Sequence, residues 1–255
     1  EESVRLLRQR KHRDHKPFAM MAASVETIRR FAIVSAEAHS ILSCPQSPIV
    51  LLPQKRNSGI ASSIAKGTLT YGFMLPYAPL HHMLFDQSVD GRKVEVLVMT
   101  SANIADQPLV CRNDEAVTKL RGIADFFLMH DRDIFRQIDD SIVHFVNHTP
   151  VPIRRARGYV PSPVICSYVS QRPVLAAGSD LKNTFCLVRD GQFIISEHIG
   201  DLEDADVYRH YKSSIRHMSG LFDFEPSVVV ADLHPGYFST QYAQSLKSVD
   251  VIQVQ

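Results

Sequence analysis

Val94–Pro108 reads Val-Glu-Val-Leu-Val-Met-Thr-Ser-Ala-Asn-Ile-Ala-Asp-Gln-Pro, an apolar run followed at once by a polar loop. The run up to Met99 is almost continuously apolar, which predicts a central strand covered on both faces. Thr100, Ser101 and Asn103 follow where this strand ends. In open α/β sheets ligands bind at the carboxyl ends of strands, and short hydroxyl and amide side chains there suit a phosphate or a small acyl group. The alternative is an ordinary turn, because Ser and Asn also favour turns.

A second polar cluster lies near the start of the chain, in Lys11–Pro17, which reads Lys-His-Arg-Asp-His-Lys-Pro. Basic residues crowd this end, whereas the net charge of the whole chain is only +1. A net charge this small argues against nucleic-acid binding by bulk attraction. A basic run of this kind is usually a solvated helix face. The polar loop after Met99 favours phosphate binding instead.

The pairing of Lys11-x-Arg13 with Thr100-Ser101-x-Asn103 resembles the YrdC/Sua5 family, whose members bind ATP and convert a carboxylate or carbamate into an acyl-adenylate. Longer strings resemble the HypF family of carbamoyltransferases, which mature nickel-iron hydrogenases. These strings are Ser63–Gly67 (SIAKG), Met74–His82 (MLPYAPLHH), Arg154–Pro161 (RRARGYVP) and Asp180–Phe185 (DLKNTF). The resemblance runs from about Val4 to the last residue.

The resemblance implies a catalytic quartet of Lys11, Arg13, Ser101 and Asn103. The two cations would neutralise charge on the phosphates of ATP as pyrophosphate leaves, and Ser101 and Asn103 would orient the carbamate. The substrate would be carbamoyl phosphate or carbamate, and the carbamoyl group would pass to the carboxy-terminal cysteine of a HypE-type partner. Zinc or iron would belong only to parts of the family that lie outside this sequence, and no metal ligands are assigned in it.

Further residues are expected to bind the nucleotide. Lys16 and Thr100 flank the quartet, and Arg154, Arg155 and Arg157 supply planar donors suited to phosphate. Because these arginines precede what looks like a domain exit, we expect them to close over the nucleotide. The alternative is a set of solvated surface charges.

Asp139, Asp140 and Ser141 precede a predicted strand. Two neighbouring carboxylates suit Mg²⁺ held through water, as phosphate-bound magnesium often is. They equally suit pairing with Arg132 or Arg136, and the sequence leaves both readings open. Asp140 and Ser141 are the two that we expect at the nucleotide.

The predicted fold class is α/β, in two domains. Residues 1–165 would form a YrdC/Sua5-like adenylating domain, a twisted open sheet with helices, whose amino end the resemblance places before Glu1. Residues 172–255 would form the first part of a Kae1-like carbamoyl-transfer domain, a partial actin-like (ASKHA) lobe. The prolines at 161, 163 and 173 mark the linker between them.

Local signals predict several elements. Asp90-Gly91 and Asp190-Gly191 are two-residue turns, the second of them in a hairpin. Asn113 is expected to cap a helix, and Phe126–Met129 is expected to be a strand. Residues 60–73 are spaced by Gly and Ser, which predicts exposed backbone lying close to another group.

Composition predicts a cytoplasmic protein with no role in a membrane. There is no apolar run long enough to span a bilayer and no leader of the signal-peptide type. The four cysteines are scattered without a Cys-x-x-Cys pair, so neither a zinc ribbon nor a disulfide framework is indicated.

Two other functions stay open. One is a YrdC-type threonylcarbamoyl-adenylate synthase acting in transfer-RNA modification. The other is a non-catalytic module that binds double-stranded RNA, because YrdC domains resemble such binders in surface shape and charge. Pro79–His82 (PLHH) together with Asp180–Phe185 favours the HypF resemblance over the synthase, whereas salt-sensitive binding of a short duplex without ATP turnover would favour the RNA-binding module.

Overall fold

The computed structural model describes residues 1–86, 88–89, 91–104 and 107–255. The chain divides into two compact units. The first comprises residues up to 158, apart from 136–139 and a short segment before Val110. The second comprises 159–255 together with 136–139 and that short segment. The predicted Asp90-Gly91 turn includes Asp90, which lies outside the described residues.

The first unit is built on a mixed sheet with the strand order β6-β1-β3-β2-β7-β8. β1 runs parallel to β3 and antiparallel to β6, and β2 runs antiparallel to β3 and parallel to β7. The strands are β1 (Ala19–Ala22), β2 (Ile49–Pro53), β3 (Thr70–Met74), β6 (Val96–Met99), β7 (Ile142–Val146) and β8 (Thr149–Arg154), and a separate hairpin pairs β4 (Ser88–Val89) with β5 (Arg92–Lys93). The predicted α/β class is confirmed.

β6 was predicted to be a central strand, and this prediction is wrong. Among the described strands its neighbour is β1, so it lies at the edge of the sheet. Val96 and Val98 pack against one apolar cluster, and Leu97 and Met99 pack against another. The run is therefore apolar on both faces, but that pattern does not reveal how many strands flank it.

A central strand, β3, lies where exposed backbone was predicted. Gly72 sits in the middle of β3, and a Cβ at this position would lie 3.0 Å from Cγ2 of Ile49 on the neighbouring β2. Gly72 thus marks a close approach inside the sheet, which is one of the positional meanings of a strand glycine.

Helices cover this sheet and carry their caps where the sequence places short hydroxyl side chains. Ser24 accepts a hydrogen bond from Thr27 N–H, and Ser35 accepts one from Ala38 N–H. The helices of the first unit are α1 (Glu2–Arg10), α2 (Val25–Phe31), α3 (Ala36–Leu42), α4 (Pro79–Phe85) and α5 (Asn113–Lys119).

Two local predictions after residue 110 are wrong. Asn113 does not cap α5, because the cap position is taken by Arg112 and Asn113 is the first helical residue. Its side chain instead donates to the carbonyl of His130. Phe126–Met129 forms no strand, and Phe126 is 93% exposed. A short apolar run does not make a strand when no neighbouring strand pairs with it.

The second unit is built on a sheet with the strand order β14-β13-β10-β11-β12-β9. β10, β13 and β14 are parallel, and β10, β11, β12 and β9 form an antiparallel meander. Its elements are β9 (Val164–Ile165), β10 (Val174–Ala176), β11 (Cys186–Arg189), β12 (Gln192–Ile195), α6 (Ala205–Leu221), β13 (Val228–Asp232), α7 (Phe238–Ser245) and β14 (Asp250–Val254). Asp190 and Gly191 both have positive φ, 52° and 75°, so the predicted hairpin turn is confirmed.

The interior of the second unit contains a buried carboxylate. Glu197 is 1% exposed, and Arg136 donates to its two oxygens at 2.6 and 2.5 Å. Ser214 Oγ donates to Oε1 at 3.0 Å, and Nε2 of His210 lies 3.6 Å from the same oxygen. Residue 136 therefore belongs to the core of the second unit, although the sequence placed it in the first domain.

No described helix combines the length and the apolarity that crossing a bilayer requires.

Replacing Gly158 by Ala is expected to lower the free energy of unfolding by about 2 kcal/mol or more. Gly158 has φ +85°, and an added Cβ would lie 2.4 Å from the carbonyl oxygen of Gln46. The matched control is Gly122→Ala, whose added Cβ meets no atom within 4 Å. Urea unfolding of both variants gives the comparison, and equal stabilities would contradict the prediction.

The second unit is expected to lose stability as the pH falls below about 6.5. Burial lowers the pKa of His210 from its ordinary 6.5; Glu197 raises it, and Arg136 lowers it further. The unfolded chain then binds the proton more tightly than the folded one, so the free energy of unfolding falls by up to about 1.4 kcal/mol per pH unit.

Replacing His210 by Gln removes this titration. Unfolding measured from pH 8 to pH 5.5 should show a shallower loss of stability in the variant, with pH 8 as the reference where His210 is neutral in both states. Parallel curves for the two proteins would contradict the prediction.

Candidate active site

The candidate site starts at the end of α1, where the chain turns sharply. His12 N–H donates to the carbonyl of Gln9 at 3.2 Å, and Arg13 N–H donates to the carbonyl of Arg8 at 3.0 Å. His12 adopts a left-handed conformation with φ 49°. These are the two backbone bonds of a Schellman motif, which satisfies the last carbonyls of a helix. The turn leaves Lys11 at the cap and sends Arg13 into the loop beyond it.

Lys11 joins this helix end to the loop after β6. Its side chain is almost fully buried, and its Nζ donates to the carbonyls of Ser101 at 2.6 Å and Asn103 at 3.0 Å. Nζ also lies 3.3 Å from Oδ1 of Asn103, which accepts a hydrogen bond from Ser101 Oγ at 2.7 Å. Three members of the predicted quartet therefore form one connected group.

Arg13, the fourth member, lies beside the same loop. Its Nη1 donates to Oγ1 of Thr100 at 3.3 Å, and its Nε donates to the carbonyl of Lys16 at 3.1 Å. Its Nη2 also donates to the carbonyl of Pro17. The guanidinium stacks 4.7 Å above the ring of Phe18. The structure thus gathers Lys11, Arg13, Thr100, Ser101 and Asn103 as the sequence predicts, with Lys16 on the loop that carries Arg13.

An ammonium group, a guanidinium group, two hydroxyls and an amide at one place are the donor set that binds phosphate oxygens. Arg13 supplies a planar fork and Lys11 a point charge, so the two cations make different contacts with an anion. The chemistry of these side chains fits a nucleoside triphosphate.

Three of the other predicted nucleotide residues, Asp140, Ser141 and Arg157, form a second group. Nε of Arg157 donates to Oδ1 of Asp140 at 2.9 Å, its Nη2 donates to the carbonyl of Ser47 at 2.8 Å, and its guanidinium lies 3.5 Å above the ring of Tyr77. Arg157 is thus engaged by protein groups on several sides. Its predicted role at the nucleotide stays a prediction.

Ser141 holds the backbone of this second group. It is fully buried, its Oγ donates to the carbonyl of Arg157 at 2.9 Å, and the same oxygen accepts a hydrogen bond from Ala156 N–H at 2.8 Å. Arg154 ends β8, and Arg155 follows it. The structure brings Asp140, Ser141 and Arg157 together with one another, and their contacts with each other order residues 154–158.

Asp140 pairs with an arginine, and its expected role at magnesium stays a prediction. Of the two readings that the sequence left open, pairing with an arginine agrees with the structure. The arginine that pairs with Asp140 is Arg157, whereas Arg136 pairs with Glu197. Across the described ranges, no group of three or more His, Cys, Asp or Glu side chains is arranged to hold a metal ion.

His81 belongs to the same surroundings. Its ring lies edge-on to Tyr77 at 4.5 Å, and burial lowers the pKa of His81, with the charge of Arg157 acting in the same direction. Burial likewise raises the pKa of the Tyr77 hydroxyl. A neutral histidine beside a neutral tyrosine packs against the Arg157 stack, as expected for a packing residue.

In the second unit the string Asp180–Phe185 forms a loop that closes onto α7. The carboxylate of Asp180 accepts hydrogen bonds from Phe238 N–H at 2.8 Å and Ser239 N–H at 3.0 Å, which caps that helix. Asn183 Nδ2 donates to the carbonyls of Ala177 at 3.1 Å and Ser179 at 2.6 Å. These residues fix the loop between β10 and β11.

One buried residue that contacts the loop of Arg13 was not predicted, Arg8. It is 4% exposed, and its guanidinium holds the loop that carries Arg13. A signal for it exists in the sequence: Val4, Arg8 and Lys11 recur at the spacing of one helix face, and all three are buried. Their shared face, and not their charge, indicates that Arg8 points inward.

The chain matches two family models. Residues 1–156 match the model of Sua5, YciO and YrdC, whose description is "Telomere recombination". Residues 169–255 match the model of the HypF Kae1-like domain.

The carbamoyltransferase HypF of Synechocystis sp. (strain ATCC 27184 / PCC 6803 / Kazusa) is 40% identical over 244 residues, which cover 96% of this chain and 31% of the relative. The crystal structure of a full-length HypF in the phosphate- and nucleotide-bound form is 42% identical, with a TM-score of 0.92 over 100% of this chain and 33% of that one. The chain therefore spans about a third of the length of the relatives that it matches.

The crystal structure of P. abyssi Sua5 complexed with L-threonine is 14% identical with a TM-score of 0.52, covering 100% of this chain and 87% of that one. This similarity concerns the fold alone.

Proposed function

The chain belongs to the Sua5/YciO/YrdC family over residues 1–156 and carries a HypF Kae1-like domain in residues 169–255, and from this premise we propose that it acts in ATP-dependent carbamoyl transfer. The wider role proposed is that of the HypF carbamoyltransferases, the maturation of nickel-iron hydrogenases in the cytoplasm. The observation that carries the proposal is the cluster of Lys11, Arg13, Ser101 and Asn103.

In the proposed reaction the first unit binds ATP and activates a carbamate, which forms when water hydrolyses carbamoyl phosphate and inorganic phosphate leaves. A carbamate oxygen forms a bond to the α-phosphorus, and the bond from that phosphorus to the bridging oxygen of pyrophosphate breaks. Lys11 and Arg13 stabilise the negative charge that develops on the leaving pyrophosphate. Ser101 and Asn103 hold the carbamate in line for attack, which is a positioning effect. The products are carbamoyl-adenylate and pyrophosphate.

Two observations support this assignment. The first is the chemistry of the cluster, which offers cationic and neutral donors to phosphate oxygens. The second is the similarity to a HypF whose crystal structure is described as phosphate- and nucleotide-bound. The other predicted nucleotide residues remain part of the proposal as further contacts: Lys16, Thr100, Asp140, Ser141, Arg154, Arg155 and Arg157.

The second unit would perform the transfer. A thiolate at the carboxyl terminus of a HypE-type partner attacks the carbamoyl carbon of the adenylate, a carbon–sulfur bond forms, and AMP leaves with the electron pair. The match of residues 169–255 to the HypF Kae1-like domain supports this step.

The decisive experiment is ATP–pyrophosphate exchange in two arms, one with carbamoyl phosphate or carbamate and one with threonine plus bicarbonate. Exchange in the first arm alone supports the proposal. Exchange in the second arm alone favours the threonylcarbamoyl-adenylate synthase. Salt-sensitive binding of a short RNA duplex without exchange in either arm favours the RNA-binding alternative.

Lys11→Ala and Arg13→Ala are each expected to lower the exchange rate at least about tenfold, which corresponds to roughly 1.4 kcal/mol of transition-state stabilisation. Each variant removes one cation from the cluster that is proposed to bind the phosphates of ATP. The matched control is Arg5→Ala, because Arg5 lies on α1 as well but its side chain is 71% exposed and pairs with Glu1. If both variants exchange at the parent rate, the nucleotide binds elsewhere.

Asn103→Leu is expected to abolish exchange and to leave the thermal unfolding transition in place. The substitution removes Oδ1, which accepts from Ser101 and lies near Lys11, but the residue is in a loop and not inside a strand. Asn103→Asp keeps an oxygen acceptor and adds a negative charge that repels phosphate, so it should also be impaired. Loss of the unfolding transition in Asn103→Leu would show a structural role instead.

A further inference from the structure

Arg8 is a buried arginine whose hydrogen bonds all go to backbone carbonyls. On one side its Nε donates to the carbonyl of Ser63 at 2.6 Å, and its Nη2 donates to that of Ile64 at 3.1 Å. Phe18 N–H donates to the carbonyl of Ile64 as well, at 3.0 Å. Arg8 therefore anchors α1 to the segment that precedes β3 and to the start of β1.

On the other side Arg8 organises the basic loop. Its Nη1 lies 2.7 Å from the carbonyl oxygen of Arg13, 3.3 Å from that of Asp14 and 3.2 Å from that of Lys16. A planar guanidinium offers five N–H donors in a fixed fork, and only arginine can bridge two segments in this manner.

The carbonyl groups that accept hydrogen bonds from Arg8 determine the direction of the N–H groups in this loop. A trans peptide directs its N–H opposite to its carbonyl. Because the carbonyls of Arg13 and Asp14 face Arg8, the N–H groups of Asp14 and His15 face away from it. Both residues are exposed, and neither N–H has a hydrogen-bond partner within the described chain. Two successive outward amides offer two hydrogen-bond donors to an anion.

Arg8 also fixes the side chain of Arg13 through a shared ring. The guanidinium of Arg8 lies 4.8 Å from the centroid of the Phe18 ring, and that of Arg13 lies 4.7 Å from it. Cation–π contacts of this kind favour one orientation of each guanidinium. The backbone and the side chain of Arg13 are thus both held by groups that Arg8 contacts.

We propose that Arg8 is a positioning residue for the phosphate site, which aims Arg13 and the N–H groups of Asp14 and His15 at the phosphates of ATP. This inference rests on the proposed function and adds to it a residue that does not touch the ligand. It also adds backbone donors that no side-chain motif reveals.

The test compares Arg8→Lys and Arg8→Met with Arg5→Lys, a conservative change at an exposed arginine of the same helix. Lysine keeps the charge but not the planar fork, so it cannot bridge the two segments. ATP binding is measured by calorimetry, and amide hydrogen exchange is measured without ligand. Arg8→Lys should weaken ATP binding at least about fivefold, and Arg8→Met should weaken it further.

Hydrogen exchange separates positioning from general destabilisation. In Arg8→Lys the amides of His12, Arg13 and Phe18, which are hydrogen-bonded in the parent, should exchange faster. The amides of β2 and β3 should keep their protection. Arg5→Lys should change neither measurement.

Three outcomes would overturn the inference. In the first, Arg8→Lys binds ATP at the parent affinity while Lys11→Ala and Arg13→Ala bind it more weakly. This result would refute the positioning role of Arg8 and would leave the proposed function intact. In the second, amide hydrogen exchange in Arg8→Lys is faster throughout the first unit, which would show that Arg8 only stabilises the fold. Failure of the parent to bind ATP would refute the proposed function and the positioning role together.

Discussion

The contact between Lys11 and the loop after β6 is the interaction on which the candidate site depends. It joins residues 90 positions apart, with Nζ of Lys11 2.6 Å from the carbonyl oxygen of Ser101. Strand pairing makes the contact possible, because Ala19 at the start of β1 pairs with Met99 at the end of β6. The residues before Ala19 and those after Met99 therefore lie at the same end of the sheet.

Much of the fold could be predicted from local patterns. The prediction for β6 fails because the position of a strand in its sheet depends on which strands pair. β7 and the Asp190-Gly191 hairpin follow from an apolar run and a turn signal, both of which are local. The edge position of β6 depends on partners far away in the chain. β8 contains Pro150 and Pro152, which are tolerated because β8 is the last strand of its sheet among the described strands.

The residue types of the candidate site could be predicted from the sequence, but several of the contacts between them could not. Lys11, Arg13, Ser101 and Asn103 were predicted from two polar clusters and a resemblance, and the structure brings them together. Asp140 was expected near Mg²⁺ or another arginine, and its contact with Arg157 depends on the pairing of residues 140 and 157, which sequence spacing does not encode. Arg8 was overlooked because a charged residue in a basic run is usually solvated, whereas its position on the helix face places it inside.

The partners of buried Arg8 differ from those of the half-buried Arg136 and Arg157. Arg136 and Arg157 face carboxylates, of Glu197 and Asp140, so each pair is close to neutral. Arg8 faces carbonyl dipoles, which satisfy its N–H groups without cancelling its charge. Burial lowers the pKa of Arg8 and Asp14 raises it, but a guanidinium remains protonated in either case. A full positive charge in a poorly screened interior extends its field further than a solvated one. Arg8 would therefore contribute to the proposed phosphate site in two ways, through the geometry of the loop and through its electric field.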